Sequence, residues 1–409
     1  MTLQICRFKN STNHQKGLPT VKYRLMDLLQ CTCGRSNLTL REALERRVPF
    51  NDSLRHVRCS NTCAFRRRPI DTVTPADCNE CYSQEVETAA ISCVCGKTYP
   101  VVRGIPRFLP DDLAADLKKA QETFSYEWKM FRFGERNWGQ DIEHRKVQFL
   151  DAMGASPEEL RGKLILDAGC GSGLLSMEMA RSFGMEVVAL DLAFGIENAY
   201  KRNTNPYVYY LQGSVLSLPL RPQVFDRMYC AGVLVHCPDS HAGFKSIVPL
   251  VAKDGRCFIW VYHPITKQYY PTQHRKLAVY NWIRTRITAR MPIRLQYYLY
   301  LSTLPPFFIK QSIEAILGKR PSPLTWREKM QALFDFFSPL YQHRHEPAEV
   351  SSWFAEQGFA NVVVCNVGSQ GFGVRGDRVR VEDIPSFVKP DIAAQSERQR
   401  SFAATNSRN

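Results

Sequence analysis

The chain has 409 residues, a length that allows two or three domains. Hydrophobic residues form 44% of it, which excludes a disordered protein and permits a sizeable core. The sequence shows neither a run of eighteen apolar residues nor an apolar N-terminal stretch with a cleavage site, so we expect a cytoplasmic protein without a membrane-spanning helix. Its 54 Lys and Arg residues against 39 Asp and Glu residues give a charge of +15, which suits RNA, an anionic membrane surface or an acidic substrate.

Cysteines are concentrated in the first quarter of the chain, where residues 21–110 predict a cysteine-rich domain. Without a sign of export, metal binding is expected rather than a disulfide framework. The cysteines form two consecutive units of two close pairs each, namely Cys31, Cys33, Cys59 and Cys63, then Cys78, Cys81, Cys93 and Cys95. Four thiolates complete a tetrahedral Zn²⁺ shell, so we expect one or two structural zinc ions. The alternative is a similar fold that holds reduced cysteines without metal.

Residues 111–162 predict helices that connect this domain to the next one. Phe124, Trp128 and Phe131 recur at intervals of three and four residues and therefore form one apolar helix face. Such an aromatic stripe is typical of a packing surface, and we expect it to lie against the following domain.

A short strand followed by a glycine-rich loop begins that domain. The apolar run Leu164 to Asp167 predicts a buried strand, and Gly169, Gly171 and Gly173 permit a tight turn with its N–H groups close to a ligand. Asp191 ends the next predicted strand, at the distance from the first glycine at which nucleoside-binding units hold ribose hydroxyls. The alternation of strands and helices continues to His263, which predicts an α/β fold with its ligand at the carboxyl ends of parallel strands.

The loop Asp167-Ala-Gly-Cys-Gly-Ser-Gly173 resembles motif I of class I S-adenosylmethionine-dependent methyltransferases of the type 11-like group. Two later stretches, residues 212–219 and 225–236, are similar to the third and fourth strands of that family, and the resemblance extends over about residues 143–375. It implies a doubly wound, mostly parallel, seven-stranded sheet of the Rossmann-like methyltransferase fold, and a preceding helix that covers the cofactor. The cofactor-binding residues that it implies are Asp167, Gly169, Cys170, Gly171, Gly173, Asp191, Leu192, Ser214, Val215 and Ala231. Ser214 stands where the family usually has Asp. The alternative to a methyltransferase is a Rossmann-type unit that binds another nucleotide.

The resemblance divides the rest of the chain. It assigns residues 163–263 and 346–378 to the methyltransferase domain, and it leaves 385–409 as a polar tail that we expect to be disordered. The intervening residues 264–345 carry thirteen Lys or Arg against three acids, and in the family such a helical insert often covers the acceptor pocket. Three interpretations remain for it: contact with a membrane surface beside a lipid-linked acceptor, stacking on RNA, or a plain helical cap.

Two cysteine segments carry a second resemblance. The sequence from Cys93 to Phe108, with Tyr99-Pro-Val-Val-Arg-Gly-Ile-Pro, resembles the zinc-ribbon segment attached to many bacterial methyltransferases. The residues before Cys31 begin like the small zinc-ribbon proteins that activate other methyltransferases. The cysteine spacing departs from that of both groups of proteins, because the pairs Cys31/Cys33 and Cys93/Cys95 read C-x-C instead of C-x-x-C.

Methyl transfer from a sulfonium is an in-line displacement, so the protein mainly supplies proximity, orientation and, for a protonated nucleophile, a base. His236, just after the fourth strand, is the predicted base, with His263, His343 and His345 as further candidates. We therefore expect methylation of a small-molecule or lipid-linked acceptor, at oxygen. The alternatives are a ribosomal or transfer RNA methyltransferase with an N-terminal zinc module, and a non-catalytic partner that binds the cofactor.

Overall fold

A computed structural model describes residues 22–35, 38–48, 59, 62–109, 113–130, 136, 140–203, 205–318 and 324–379. Phe131, the residues before 22 and the expected disordered tail over 385–409 lie outside these ranges.

The strands are β1 (Leu38–Arg47), β2 (Thr62–Cys63), β3 (Arg68–Pro69), β4 (Gln84–Cys93), β5 (Thr98–Val102), β6 (Ile105–Phe108), β7 (Leu164–Ala168), β8 (Glu186–Asp191), β9 (Val208–Gly213), β10 (Phe225–Ala231), β11 (Val251–Tyr262), β12 (Phe359–Cys365) and β13 (Gly371–Arg378). The helices are α1 (Arg24–Leu28), α2 (Pro75–Tyr82), α3 (Ala115–Met130), α4 (Ile142–Met153), α5 (Pro157–Leu160), α6 (Leu174–Phe183), α7 (Ile196–Arg202), α8 (Ser240–Ile247), α9 (His274–Arg286), α10 (Ile293–Ser302), α11 (Leu304–Ile316), α12 (Trp326–Phe337) and α13 (Pro347–Glu356).

The predicted α/β sheet is confirmed. Seven strands follow one another in the order β9-β8-β7-β10-β11-β13-β12, and the first five are parallel while β13 and β12 are antiparallel to their neighbours. All residues of β7, β8 and β9 are buried, as expected for parallel strands covered by helices on both faces. The carboxyl ends of β7, β8, β9 and β10 therefore meet at one edge of the sheet, where Asp167, Asp191 and Ala231 lie.

The cysteine-rich segment extends this sheet. β6 pairs in parallel with β9, with Arg107 opposite Gln212, and β5, β4 and β1 follow outward as antiparallel strands. Helix α1 closes the seam between the two parts, because the buried guanidinium of Arg24 donates to Glu186 Oε1 on β8 at 2.9 Å. The segment and the α/β domain thus share one sheet and one core.

The helical insert lies over the edge where the parallel strands end. Its last helix, α12, packs against α3, and Tyr126 of α3 contacts the Phe334 ring at a centroid distance of 5.4 Å. The Lys119 ammonium donates to the Met291 carbonyl at 2.8 Å, which joins α3 to the segment before α10. Within the described ranges, every helix is too short or too polar to cross a lipid bilayer.

Candidate active site

The glycine loop after β7 is shaped for close contact. Gly169, Gly171 and Gly173 all have positive φ angles, of 88°, 56° and 66°. A Cβ atom on Gly169 would lie 2.1 Å from Cγ2 of Val233, and one on Gly171 would lie 2.4 Å from the Trp128 ring. Two features therefore require glycine at these positions, namely the left-handed backbone and the close neighbouring side chains.

Asp191 at the end of β8 holds this loop in place. Its Oδ2 accepts from the Gly171 N–H at 2.7 Å, and its Oδ1 accepts from the Ala193 N–H at 2.7 Å. Burial raises the pKa of Asp191 to about 6, although these N–H donors oppose the shift. On β7, Asp167 is likewise buried, accepts from the Ser176 hydroxyl at 2.5 Å and has its pKa raised by burial to about 6.

A cavity of about 530 Å³ opens where these strands end. Its size lies within the range of small-molecule and cofactor sites. The predicted cofactor and catalytic residues that line it are Asp167, Gly169, Cys170, Gly171, Asp191, Leu192, Ser214, Val215, Ala231 and His236. Gly173 does not line the cavity: it starts α6, and a Cβ there would lie 2.4 Å from the Ala199 Cβ.

The surroundings of Ser214 and Cys170 determine what their side chains can do in the cavity. The Ser214 hydroxyl accepts from the Leu216 N–H at 3.2 Å, which fixes the turn after β9 and leaves its proton available to a ligand. Burial raises the pKa of Cys170 well above its usual value, so this residue is a neutral thiol rather than a nucleophilic thiolate.

His236 is the one histidine among the four base candidates that lines the cavity. Its Nδ1 lies 2.8 Å from the Tyr341 carbonyl, which requires a proton on Nδ1 and leaves Nε2 as an acceptor. Burial lowers the pKa of His236 to about 4, so the ring is neutral at physiological pH. His343 instead contacts the Cys237 carbonyl through Nε2, at 3.0 Å, and His345 contacts Glu349 through Nδ1, at 2.9 Å.

Comparison with known families identifies this arrangement. Residues 166–259, from within β7 to within β11, match the family model described as "Methyltransferase domain". The chain contains a methyltransferase domain. This match covers the glycine loop, Asp191, Ser214 and His236.

Curated relatives agree with that domain. The chain is 36% identical over 105 residues to a ubiquinone biosynthesis O-methyltransferase of Xanthomonas euvesicatoria pv. vesicatoria, an alignment that covers 25% of this chain and 44% of the relative. It is 32% identical over 111 residues to the protein of the same name in Yersinia enterocolitica, covering 26% and 46%. The chain thus spans about half the length of these curated relatives.

The solved structures to which this chain is similar include magnesium protoporphyrin IX methyltransferase from Synechocystis PCC 6803 with bound SAH, at a TM-score of 0.37 and 16% identity, covering 64% of this chain and 100% of that one. Another is Haemonchus contortus phosphoethanolamine N-methyltransferase 2 in complex with S-adenosyl-L-methionine, at a TM-score of 0.37 and 16% identity, covering 69% and 64%.

Helices outside the matched residues complete the cavity of the methyltransferase domain. The aromatic face of α3 lies against this domain as the sequence predicted, whereas the carboxyl groups that the helices contribute were not identified from the sequence. Trp128 of α3 lies over Gly171, and α3 is fastened by Gln121, whose side chain donates to the Leu192 carbonyl at 3.1 Å. Two carboxyl groups also line the cavity, that of the buried Glu127 of α3 and that of the half-buried Asp335 of α12. The sequence held one signal for Glu127. This acid directly precedes Trp128, which belongs to the helix face that was predicted to pack on the next domain.

The cysteines beside the methyltransferase domain come together in a different grouping from the two consecutive units that the sequence suggested. The outer pairs meet, so that the sulfur atoms of Cys31, Cys33, Cys93 and Cys95 all lie within 4.8 Å of one another. Cys31 Sγ lies 3.7 Å from Cys95 Sγ, and Cys33 Sγ lies 3.7 Å from Cys93 Sγ. The consecutive grouping was wrong because strands β4 and β5 form a hairpin whose turn carries Cys93 and Cys95 back to Cys31 and Cys33.

The inner group consists of the other four cysteines of this segment, Cys59, Cys63, Cys78 and Cys81, whose sulfur atoms in the described residues lie less close together than those of the outer group. Cys63 lies on the β2–β3 hairpin and its sulfur accepts from the Arg66 N–H at 3.4 Å, while Cys78 and Cys81 lie on α2. Arg66 joins the two elements through a 2.7 Å contact with Asp77. Burial raises the pKa of Cys81, and the nearby thiols of Cys59, Cys63 and Cys78 raise it further.

Proposed function

We propose that this protein is an S-adenosylmethionine-dependent methyltransferase that methylates an oxygen atom of a small-molecule or lipid-linked acceptor. The observation that carries the proposal is the cavity in which the Gly169–Gly173 loop and the Asp191 carboxylate face His236 across the ends of the parallel strands. Methyl transfer needs a donor and an acceptor held in line, and both would bind in this one cavity.

The residues of the cavity fit the methyl donor. Asp191 has lone pairs beyond those used by its two N–H donors, and they would accept from the ribose hydroxyls. The Ser214 hydroxyl would contact the adenine, and Ala231, at the end of β10, would face the methionine portion. Trp128 would cover the nucleoside, because it already lies over Gly171.

For the acceptor, we propose that its hydroxyl donates a hydrogen bond to Nε2 of His236, the free nitrogen of a ring fixed by the Tyr341 carbonyl. The names of the relatives, ubiquinone biosynthesis O-methyltransferase, support oxygen as the methylated atom. The aromatic side chains of Tyr229, Trp260 and Tyr262 line the cavity and favour an apolar or aromatic acceptor.

A transfer assay tests this function. Purified protein and S-adenosylmethionine with a tritiated methyl group are added to cell extract that has been divided into RNA, lipid and small-molecule pools. We expect label in the lipid or small-molecule pool, and an Asp191→Ala variant should transfer much less at a low concentration of S-adenosylmethionine. Label confined to the RNA pool would contradict the proposed acceptor, and a failure to bind S-adenosylmethionine would contradict the enzyme itself.

We further propose that the insert brings the protein to an anionic membrane surface that carries the acceptor. One face of α11 exposes Ile309, Ile313 and Ile316, the last with 83% of its surface exposed. An apolar face of this kind on a surface helix, next to basic residues such as Lys310, is typical of helices that lie in the lipid interface. The wide excess of Lys and Arg in residues 264–345 favours anionic lipids.

Both cysteine groups are proposed to bind structural zinc. The chemistry of the outer group fits, since four thiolates at the usual Zn–S distance of about 2.3 Å have sulfur atoms about 3.8 Å apart. The observed separations of 3.7 Å match this geometry and are far longer than a disulfide bond. Because four protein ligands leave no open position, we assign these sites a role in stability and none in catalysis.

A further inference from the structure

Two carboxyl groups face the cavity from helices that sequence comparison did not cover. Glu127 is 1% exposed, and its Oε2 has no hydrogen-bond partner in the structure. Asp335 is half-buried, and its Oδ2 accepts from the Tyr262 hydroxyl at 3.2 Å. A buried carboxylate oxygen without a partner costs free energy unless the oxygen is protonated or a ligand approaches it.

We propose that Glu127 and Asp335 act as a carboxyl pair that holds one proton and takes the second from the acceptor hydroxyl during methyl transfer. This inference deepens the proposed function and rests on it. It adds the group on which the proton finally resides, after Nε2 of His236 has accepted it from the hydroxyl.

The charge of the pair follows from its surroundings. Burial raises the pKa of Asp335 to about 6, while the Tyr262 hydroxyl and the positive charge of Arg344 oppose that shift. Burial also raises the pKa of Glu127, and the negative charge of Asp335 raises it further. Near neutral pH the pair therefore carries one negative charge, because two neighbouring buried carboxyls do not both ionise.

This charge suits the reaction. The acceptor oxygen bonds to the methyl carbon, the S–CH₃ bond breaks with its electron pair left on sulfur, and the hydroxyl proton is accepted by Nε2 of His236 and passes from there to the ionised carboxyl group. The pair and the sulfur atom both end neutral, so no net charge is left in the buried site. A base with a pKa of about 6 is also better matched to physiological pH than His236, whose pKa is about 4.

Calorimetry can detect the pair without an acceptor. S-adenosylmethionine carries a positive sulfonium and S-adenosylhomocysteine a neutral thioether, so only the first favours ionisation of the pair. We expect the affinity ratio of the first to the second to increase as the pH is raised from about 5 to about 8. Asp191 and Asp167 also line the cavity with pKa values of about 6, and the sulfonium favours their ionisation too. The contribution of the pair is therefore measured against a variant that keeps both of these residues.

The double variant Glu127→Gln/Asp335→Asn, which keeps Asp191 and Asp167, should show a smaller rise of this ratio with pH, and a rise as large as in the unmodified protein would overturn the proposal. The matched control is Glu122→Gln, which changes an exposed carboxyl on the same helix and should leave the rise intact. A pH-independent ratio in the unmodified protein would overturn the proposal even though both ligands bind. If neither ligand binds, the proposed methyltransferase function fails instead.

A second measurement tests the proton transfer itself. With the acceptor from the transfer assay, the double variant should lose about a hundredfold or more in turnover while its affinity for S-adenosylhomocysteine stays within about twofold. Full turnover in that variant would overturn the assignment of the base. The Glu122→Gln variant, with its turnover unchanged, excludes a general effect of altering α3.

Discussion

Asp191 uses both carboxylate oxygens within the protein, and the same two oxygens face the cavity. The N–H groups of Gly171 and Ala193 fix the carboxylate before any ligand arrives, so little side-chain entropy remains to be lost on binding. A carboxylate fixed in this way is preorganised for the hydroxyls of a ribose.

The first prediction concerns this side chain. We expect Asp191→Ala to weaken binding of S-adenosylhomocysteine at least tenfold, or about 1.4 kcal/mol, because the ribose contacts and the anchor of the glycine loop are lost together. Titration calorimetry measures the dissociation constant, with Glu158→Ala as a control at an exposed carboxyl of α5. An unchanged dissociation constant would remove Asp191 from the site.

The second prediction is the pH dependence of the same affinity. Hydroxyl donors favour the ionised carboxyl, whose pKa in the free protein is about 6. Affinity for S-adenosylhomocysteine should therefore be full above this pKa and decrease as the pH is lowered through it. The Asp191→Asn variant should show a flatter profile at every pH measured, and a wild-type profile that is level down to about pH 4 would contradict the assignment.

At the scale of elements, α3 and the glycine loop form one packed unit. Trp128 lies against Gly171 and also against Gly195, so the helix before the domain closes the space over the loop. The ends of β7 and β8 thereby form part of a cavity rather than an open edge.

The third prediction tests this packing. In Gly171→Ala the new methyl group would lie 2.4 Å from the Trp128 ring at a φ of 56°, whereas in Gly318→Ala the φ is 73° and no atom lies within 4 Å. The control carries only the backbone strain of about 1–2 kcal/mol. We expect Gly171→Ala to lower the melting temperature further than Gly318→Ala, and equal melting temperatures would contradict the close approach of α3.

The sequence predicted the elements better than their long-range partners. Leu164 to Asp167 and Glu186 to Asp191 were recognisable as strands, because buried parallel strands are unbroken apolar runs. The pairing of β6 with β9 and the meeting of Glu127 with the insert depend on contacts between residues far apart in the chain, which local patterns do not encode. Ligand spacing likewise leaves the grouping of eight cysteines undetermined.

The fourth prediction concerns the outer and inner cysteine groups. Metal analysis of the purified protein should give two zinc ions per chain. Cys33→Ser and Cys81→Ser should each remove one of them, because each changes one ligand of a different group. Removal of both ions by a chelator should lower the melting temperature of the whole domain, since β4 and β5 belong to the same sheet as β9. Protein that is isolated without zinc would refute both sites.

In the whole molecule, three parts of the fold have different proposed roles. The cysteine-rich segment extends one edge of the sheet, the central parallel strands present the cavity, and the helical insert covers it while exposing apolar side chains to solvent. A lipid-linked acceptor would then enter the cavity next to the membrane surface that carries it.

The last prediction tests that surface. The protein should bind vesicles of phosphatidylcholine with phosphatidylglycerol more strongly than vesicles of phosphatidylcholine alone, and added salt should weaken the difference. The paired change Ile313→Asp and Ile316→Asp should reduce this binding at least tenfold, about 1.4 kcal/mol, because it places two charges on the exposed face of α11. Val147→Asp is the matched control, since Val147 is 66% exposed on α4, outside the insert. Vesicle binding that is unaffected by the α11 variant would exclude this face, and salt-sensitive binding to RNA without binding to vesicles would assign the basic insert to a nucleic-acid partner instead.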